Sequence, residues 1–280
     1  MNCDMTNHFT ENTWHLAIEK SNFNLLDLTD GIIMINSDEY LKEVLNNLTV
    51  SITNPNFSKI SLTGANSLIT VTTSLIGNDH PENFSIVIRN CLFSEINAAE
   101  ASAIYSSVES LYQNVLLLDS NDFRNISSSS SLGGGILNPS TTMLSPMSAE
   151  RSNDATTIKI TNNTLLGIES SEGGGVISWR SMNNLIAFLI INNSFESVST
   201  RGNGGILLAN YTIDAEASSM QYAVFNFTNN SFKAISAQNG GLIQFISKSP
   251  ELIEFIFEAN KGEDITVSQN GGIINLPDYI

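Results

Sequence analysis

Phe227-Thr-Asn-Asn230-Ser-Phe232, followed by Gly240-Gly241-Leu242-Ile243, is the stretch that decides the fold, because versions of it recur along the chain. The pattern is an apolar residue, two spacers, Asn, one spacer and Phe, then a glycine cluster and aliphatic residues. It returns around four further asparagines, with Ile or Leu at some Phe positions: Asn121, Asn163, Asn193 and Asn260. A fixed period of this size is typical of proteins built from stacked repeats.

Upstream the pattern weakens but keeps its spacing. The asparagine position is taken by Cys91, Pro55 and Ser21, so eight units follow one another at intervals of 30 to 42 residues. We therefore predict one repeat domain over 1–280, with degenerate repeats in 18–117 and clear repeats in 118–280.

The residues before each asparagine have the composition of β-strands. Segments such as 222–228 and 185–191 are rich in β-branched and aromatic residues, and polar turn formers bound them. The connectors are too short and too rich in Ser, Asn and Gly to hold crossover helices. Equivalent strands of successive repeats would then pair in parallel, about 4.8 Å apart. The predicted fold class is an all-β parallel β-helix (solenoid) of about eight coils.

Each repeated position has an architectural interpretation. The asparagines would take left-handed backbone geometry at a corner and bond to one another as a ladder. The Phe two residues later would stack in a column, and the paired glycines would allow positive φ or close backbone approach at a second corner. The structural residues predicted on this basis are Asn121, Asn163, Asn193, Asn230, Asn260, Phe123, Phe195, Phe232, Gly134, Gly174, Gly205, Gly241 and Gly272.

Three segments depart from the strand pattern. Residues 37–48 combine an N-cap, early acidic residues and helical spacing of apolar residues, which predicts a short amphipathic helix. The stretches 138–155 and 209–221 are long and polar, which predicts loops that leave the solenoid body. Loops on a rigid scaffold are common sites of recognition.

The charge composition bears on the choice of partner. Twelve Lys+Arg stand against 28 Asp+Glu, a net charge of −16. Such a chain repels polyanions, so we expect no nucleic acid partner and no binding to anionic membrane. The longest apolar stretch, 185–191, is too short to span a bilayer.

Catalytic machinery is the next possibility, because parallel β-helices also carry polysaccharide lyases and glycosidases. The close acidic pairs Asp119/Asp122 and Glu169/Glu172 have no accompanying cluster of basic residues or histidines. The histidines all lie in the degenerate N-terminal part: His8, His15 and His80. No nucleophile elbow, phosphate loop or metal-ligand spacing is present in the sequence. We therefore predict a chain that is not an enzyme, with no catalytic residues, no cofactor and no metal site.

The sequence carries opposing signals on whether the protein is intracellular or secreted. The first residues, Met1-Asn2-Cys3-Asp4, show no secretory signal, which favours an intracellular protein. Nine Asn-x-Ser/Thr sequons favour the secretory pathway: Asn47, Asn56, Asn83, Asn125, Asn162, Asn192, Asn210, Asn226 and Asn229. Two cysteines are too few to identify the redox environment.

The paired motifs also resemble a known family. Phe-x-x-Asn and Gly-Gly-Ala-Ile are the repeats of the chlamydial polymorphic outer membrane proteins, and similar repeats occur in some protist surface proteins. Here Phe227/Asn230 and Phe257/Asn260 match the first motif, and Gly-Gly followed by aliphatic residues matches the second, without Ala in its third place. The match is close over 118–280 and loose over 18–117.

This resemblance implies a right-handed β-helix with an adhesin-like role at the cell surface. The expected function is thus non-enzymatic binding of an unknown protein or carbohydrate surface, outside the cell. The alternatives are an intracellular interaction scaffold and, third, a carbohydrate-active lyase or glycosidase.

Overall fold

The structure, a computed structural model, is an all-β parallel solenoid. It describes residues 14–29, 31–37, 48–73, 85–100, 102–108, 115–129, 133–142, 156–182, 186–212, 223–247 and 253–276. Within these residues there are 25 strands and no helix. The strands form three parallel sheets, two of eight strands and one of nine, and each circuit of the chain contributes to all three. The predicted fold class is confirmed.

The first sheet holds the strands that precede the repeated asparagine: β1 Trp14–Glu19, β4 Leu48–Thr53, β7 Ser85–Arg89, β10 Val115–Asp119, β14 Thr156–Thr161, β17 Ile186–Ile191, β20 Ala223–Thr228 and β23 Ile253–Glu258. The second sheet holds the strands that follow it: β2 Asn22–Leu28, β5 Asn56–Leu62, β8 Leu92–Ala98, β11 Asp122–Ser128, β15 Thr164–Ser170, β18 Ser194–Thr200, β21 Ser231–Ala237 and β24 Lys261–Val267.

The third sheet holds the strands that follow the glycine cluster: β3 Ile33–Ser37, β6 Ile69–Thr73, β9 Tyr105–Val108, β12 Leu137–Asn138, β16 Ile177–Met182, β19 Leu207–Thr212, β22 Ile243–Ser247 and β25 Ile274–Asn275. A further short strand, β13 Ser140–Thr142, pairs with β16 beside it.

Alternation along the strands builds the core. In β17, Ile186, Phe188 and Ile190 are buried, while Ala187 and Leu189 between them are partly exposed. Each buried residue lies above its equivalent in the next coil, so apolar side chains pack on apolar side chains along the solenoid axis. Burying such a side chain stabilises the fold by about 1.5–3 kcal/mol.

The corner between the first and second sheets differs from our prediction. We expected the ladder asparagines themselves to take left-handed geometry, and this is wrong: the residue before each of them does, with φ between 48° and 61°. These corner residues are Lys20, Asn54, Asn90, Ser120, Asn162, Asn192, Asn229 and Ala259. The ladder residue has a different task, because its own N–H must point along the axis to the next coil.

A second left-handed column runs through the second sheet, and nothing in the sequence pattern predicted it. It lies four residues after each ladder position, and the pairing register skips it. Its members share no chemistry: Leu25, Lys59, Glu95, Asn125, Gly167, Ser197, Ala234 and Asp264. Because most of these residue types seldom take positive φ, we attribute the geometry to the stacking of the coils.

The glycine corner follows the prediction at most positions. Gly134 has φ +78°, and a Cβ on Gly205 would meet the carbonyl oxygen of Gly241 in the next coil. Gly174 and Gly241 are also too crowded for a side chain. Gly272 differs, because a Cβ there would have no atom within 4 Å. The packing therefore requires glycine in the inner coils and not at Gly272.

The predicted helix and the two predicted loops lie partly in strands and partly outside the described residues. Ser37 ends β3 and Leu48 begins β4, so both ends of the predicted helix are strand, and its residues 38–47 fall outside the described part. The loops expected from 138 and 209 begin later, because strands continue to Thr142 and Thr212. The rest of both loops, 143–155 and 213–221, is also outside the described part.

Candidate functional site

The five predicted asparagines lie above one another and share one hydrogen-bond chain. The Nδ2 of each of the first four donates to the Oδ1 of the next asparagine, at 3.0 to 3.1 Å. The backbone N–H of each of these four also donates to that same oxygen, at 2.9 Å. The second hydrogen on each Nδ2 faces a backbone carbonyl of the first sheet: Ile88, Leu118, Ile160, Ile190 and Phe227. Stacking therefore uses both hydrogens of the Nδ2 group in the first four asparagines, which leaves no side-chain donor there for a ligand.

Cys91 stands at the ladder position in the coil before Asn121. Its Sγ lies 3.1 Å from the Arg89 carbonyl and 3.5 Å from the Ile52 carbonyl, the same relative positions that an asparagine Nδ2 would serve. Burial raises the pKa of the Cys91 thiol to about 12, against opposing backbone hydrogen bonds. The thiol therefore stays protonated and acts as a ladder donor, and not as a nucleophile.

The reason for a cysteine here lies one coil earlier, at Pro55. Proline has no backbone N–H and no side-chain donor. In the ladder, the Oδ1 of each asparagine accepts hydrogen bonds from the ladder residue one coil earlier. For an asparagine at position 91 that earlier residue is Pro55, which has no donor to offer. A thiol can donate a hydrogen bond but carries no amide oxygen that would require a donor from Pro55. It therefore fits the first position of the ladder.

The aromatic column is longer than predicted. Phe23, Phe57, Phe93 and Phe123 stack with ring centroids 4.8, 4.9 and 5.0 Å apart. Leu165 follows in register, and Phe195 and Phe232 continue at 5.2 Å. The sequence carried this signal, since each Phe stands two residues after its ladder position even where the asparagine is absent. All these rings are buried in the core and are closed to ligands.

The two carboxylates of the first acidic pair are each bound by other side chains. Asp119 accepts hydrogen bonds from Thr161 at 2.8 Å and Asn162 at 3.0 Å. Partial burial acts to raise its pKa, but these bonds and the charge of Arg89 outweigh burial and hold the pKa below its usual value. Asp122 accepts two hydrogen bonds from Arg124, from Nε to its Oδ1 at 2.9 Å and from Nη2 to its Oδ2 at 2.6 Å. Both carboxylates have structural partners, and the lowered pKa of Asp119 makes that group a poor holder of a proton near neutral pH.

The second acidic pair leads to a groove that the sequence analysis missed. Glu169 lines an open polar groove of about 400 Å³ on the outside of the second sheet, just before the glycine corner. Glu172 is not among the lining residues; its backbone carbonyl accepts a bond from Ser170 Oγ at 2.7 Å. Within the described ranges, no three His, Cys, Asp or Glu side chains are grouped so as to hold a metal ion.

One column of side chains runs along this groove, with one member in each of five successive coils. Parallel pairing joins neighbours along the column: Asn97, Ser127, Glu169, Ser199 and Ser236. Arg201 lines the same groove and is exposed. We define these six residues as the hydroxyl groove. The sequence contained a signal for it, because the sixth residue after every ladder position is polar, from Asp27 to Thr266.

A second column of hydroxyls lies beneath the groove and holds the corner in place. Ser128, Ser170 and Thr200 are nearly buried. Thr200 Oγ1 donates to the Gly173 carbonyl at 2.8 Å and accepts from the Gly202 N–H at 3.0 Å. These bonds attach the end of the second sheet to the glycine corner, so the groove has a fixed floor.

Comparison of the chain with family models, with curated proteins and with solved structures finds no match. The parallel sheets show a β-helix repeat solenoid. Within the part of the chain that the structure describes, no helix has the length and hydropathy to cross a membrane.

Proposed function

We propose that this chain is a non-enzymatic, adhesin-like binding protein that presents its lateral surface to a partner outside the cell. One observation supports this most: the residues repeated in every coil are engaged in stacking, and an open polar groove lies on the outside of the second sheet. Residues such as Asn163 and Phe195 are buried inside the coil. Binding would then depend on the coil-specific residues outside it.

The groove argues for binding over turnover. Glycoside hydrolysis needs two carboxyl groups facing each other across the substrate, one of them able to hold a proton. Glu169 is the single carboxylate among the residues that line the groove. Asp119 and Asp122, which the sequence offered as a pair, are bound to Thr161, Asn162 and Arg124.

The extracellular location rests on the motif resemblance to the chlamydial and protist surface proteins more than on the sequons. Asn162, Asn192 and Asn229 are corner residues that bond to one another along the solenoid. Each is followed by a ladder asparagine and then by a Ser or Thr that begins the next strand, so the repeat itself creates these sequons. Asn125 is exposed and lies outside this corner column, and it is the better glycosylation candidate.

Antibody labelling of the source cells tests this proposal. We expect intact cells to be labelled without permeabilisation, and we expect glycosidase treatment to reduce the mass of the wild-type protein by more than that of an Asn125→Gln variant. Labelling that requires permeabilisation would favour an intracellular scaffold and would overturn the proposed location.

A further inference from the structure

We propose that the hydroxyl groove binds an uncharged, linear glycan laid parallel to the solenoid axis. This inference rests on the proposed binding function and adds the class of ligand. It follows from the spacing, the free polar groups, the charge and the rigidity of the groove.

The spacing comes first. Asn97, Ser127, Glu169, Ser199 and Ser236 occupy one column across five paired strands. Neighbouring parallel strands are about 4.8 Å apart, and the sugar rings of an extended polysaccharide repeat at a similar distance. A polysaccharide chain can therefore place one sugar unit over each coil and meet one polar side chain at every step.

The available hydrogen-bonding groups come next. Ser127 Oγ donates to Asn97 Oδ1 at 3.1 Å, so its oxygen stays available as an acceptor. Within the described residues, no hydrogen bond uses the hydroxyls of Ser199 and Ser236. Hydroxyls both donate and accept, which matches the hydroxyl groups of a sugar better than a ligand that offers acceptors alone.

The charge of the groove selects against acidic polymers. Glu169 and Arg201 carry opposite charges at the groove, and the chain as a whole has a net charge of −16. A polyanion would be repelled by this field. A neutral glycan would not, and Glu169 and Arg201 could still bond to its hydroxyls.

The composition of the lining also sets the strength of binding. No aromatic ring lines the groove, so each sugar would be held by hydrogen bonds without stacking. One such bond lowers the Kd by only about fivefold. Useful affinity must then come from several units bound together, on a floor that Ser170 and Thr200 keep in place.

Titration of the intact chain with neutral xylo-oligosaccharides of two to six units tests this inference, with binding followed by calorimetry. We expect the Kd to fall with each added unit up to five and then to level off. In a Ser199→Ala/Ser236→Ala variant the pentamer should bind about tenfold more weakly. The variant loses two hydrogen bonds to the sugar, and water compensates for part of that loss. The Arg201→Ala variant should also bind more weakly.

The matched control is Ser94→Ala, a serine of β8 that is not among the groove residues. This variant should bind like the wild type, and circular dichroism should show the same β content for all variants. Absence of binding, affinity that does not depend on length, or equal binding by the double variant and the wild type would overturn the inference.

Two results separate this inference from the proposed function. Surface labelling of cells without any oligosaccharide binding would overturn the glycan assignment and leave the binding function standing. Tighter binding of an acidic oligogalacturonate than of the neutral chain would overturn the neutral ligand class. Cleavage of either oligosaccharide would overturn the non-enzymatic function itself.

Discussion

Asn163 makes two hydrogen bonds to one atom of Asn193: its Nδ2 and its backbone N–H both donate to the Asn193 Oδ1, at 3.0 and 2.9 Å. The two residues are thirty positions apart in sequence and adjacent in space. The same relationship links successive coils from Asn121 to Asn260, and it gives the corner of the solenoid a continuous polar spine.

Removing one member of this spine should be costly. Asn193→Ala would leave the buried N–H and Nδ2 of Asn163 without their acceptor and the Ile160 carbonyl without its donor. Each unsatisfied buried group costs about 1–3 kcal/mol, so we expect a loss of about 3 kcal/mol or more in urea unfolding. Asn226→Ala, on the outer face of β20, should cost about 0.5 kcal/mol or less. Equal losses would show that the ladder is not a main source of stability.

The pairing of Pro55 with Cys91 predicts a non-additive result. Cys91→Asn should lower the free energy of unfolding by about 1–3 kcal/mol, because the new amide oxygen would face a proline with no donor. Pro55→Asn added to it should restore most of that loss, since the earlier coil would then supply two N–H groups. A double-mutant cycle in urea measures the coupling. Additive effects would contradict our explanation of the cysteine.

The thiol of Cys91 predicts a dependence of stability on pH. Burial raises the pKa of this thiol to about 12 in the folded chain, against an ordinary value of 9.0. Between those values the folded chain keeps the proton and the unfolded chain loses it, so stability falls as pH rises above about 9 and is unaffected below. In a Cys3→Ser background, the free energy of unfolding should fall more steeply from pH 9 to 11 with Cys91 than with Cys91→Ser. Parallel curves would contradict this.

The last described coil should tolerate changes that the inner coils do not. Phe227 and Phe257 occupy paired positions in β20 and β23, but Phe227 is fully buried and Phe257 is only partly buried. Phe227→Ala should cost about 3–5 kcal/mol, because it opens a cavity in a closed core. Phe257→Ala should cost clearly less in the same thermal melt. The reverse order would mean that the outer coil is packed more tightly than the structure shows.

The sequence predicted those features that repeat with one residue type. The parallel solenoid, the positions of Asn163 and Phe195, and the crowded glycines all follow from the period and from the known preferences of those residues. The degenerate coils could be aligned as well, because Phe23, Phe57 and Phe93 keep their distance from the ladder position.

Features set by stacking could not be predicted in this way. Leu25 and Lys59 take left-handed geometry. We attribute this to the stacking of their coils on the neighbouring coils, because neither residue type favours this geometry by itself. Asn193 does not take positive φ, although asparagine tolerates it, because its N–H must donate to the Oδ1 of Asn230. The hydroxyl groove was missed because Ser127, Glu169 and Ser199 share only polarity, which becomes a pattern once the register is known.

The central claim is that this chain binds without turnover, and one measurement tests it directly. The intact chain is incubated with a labelled neutral xylo-hexaose, and both the bound fraction and the chain length of the recovered sugar are followed over time. We predict saturable binding, weakened in the Ser199→Ala/Ser236→Ala variant, with the hexaose recovered at its full length. Shorter fragments that accumulate in proportion to protein, and that disappear in a Glu169→Gln variant, would show an enzyme and contradict this account.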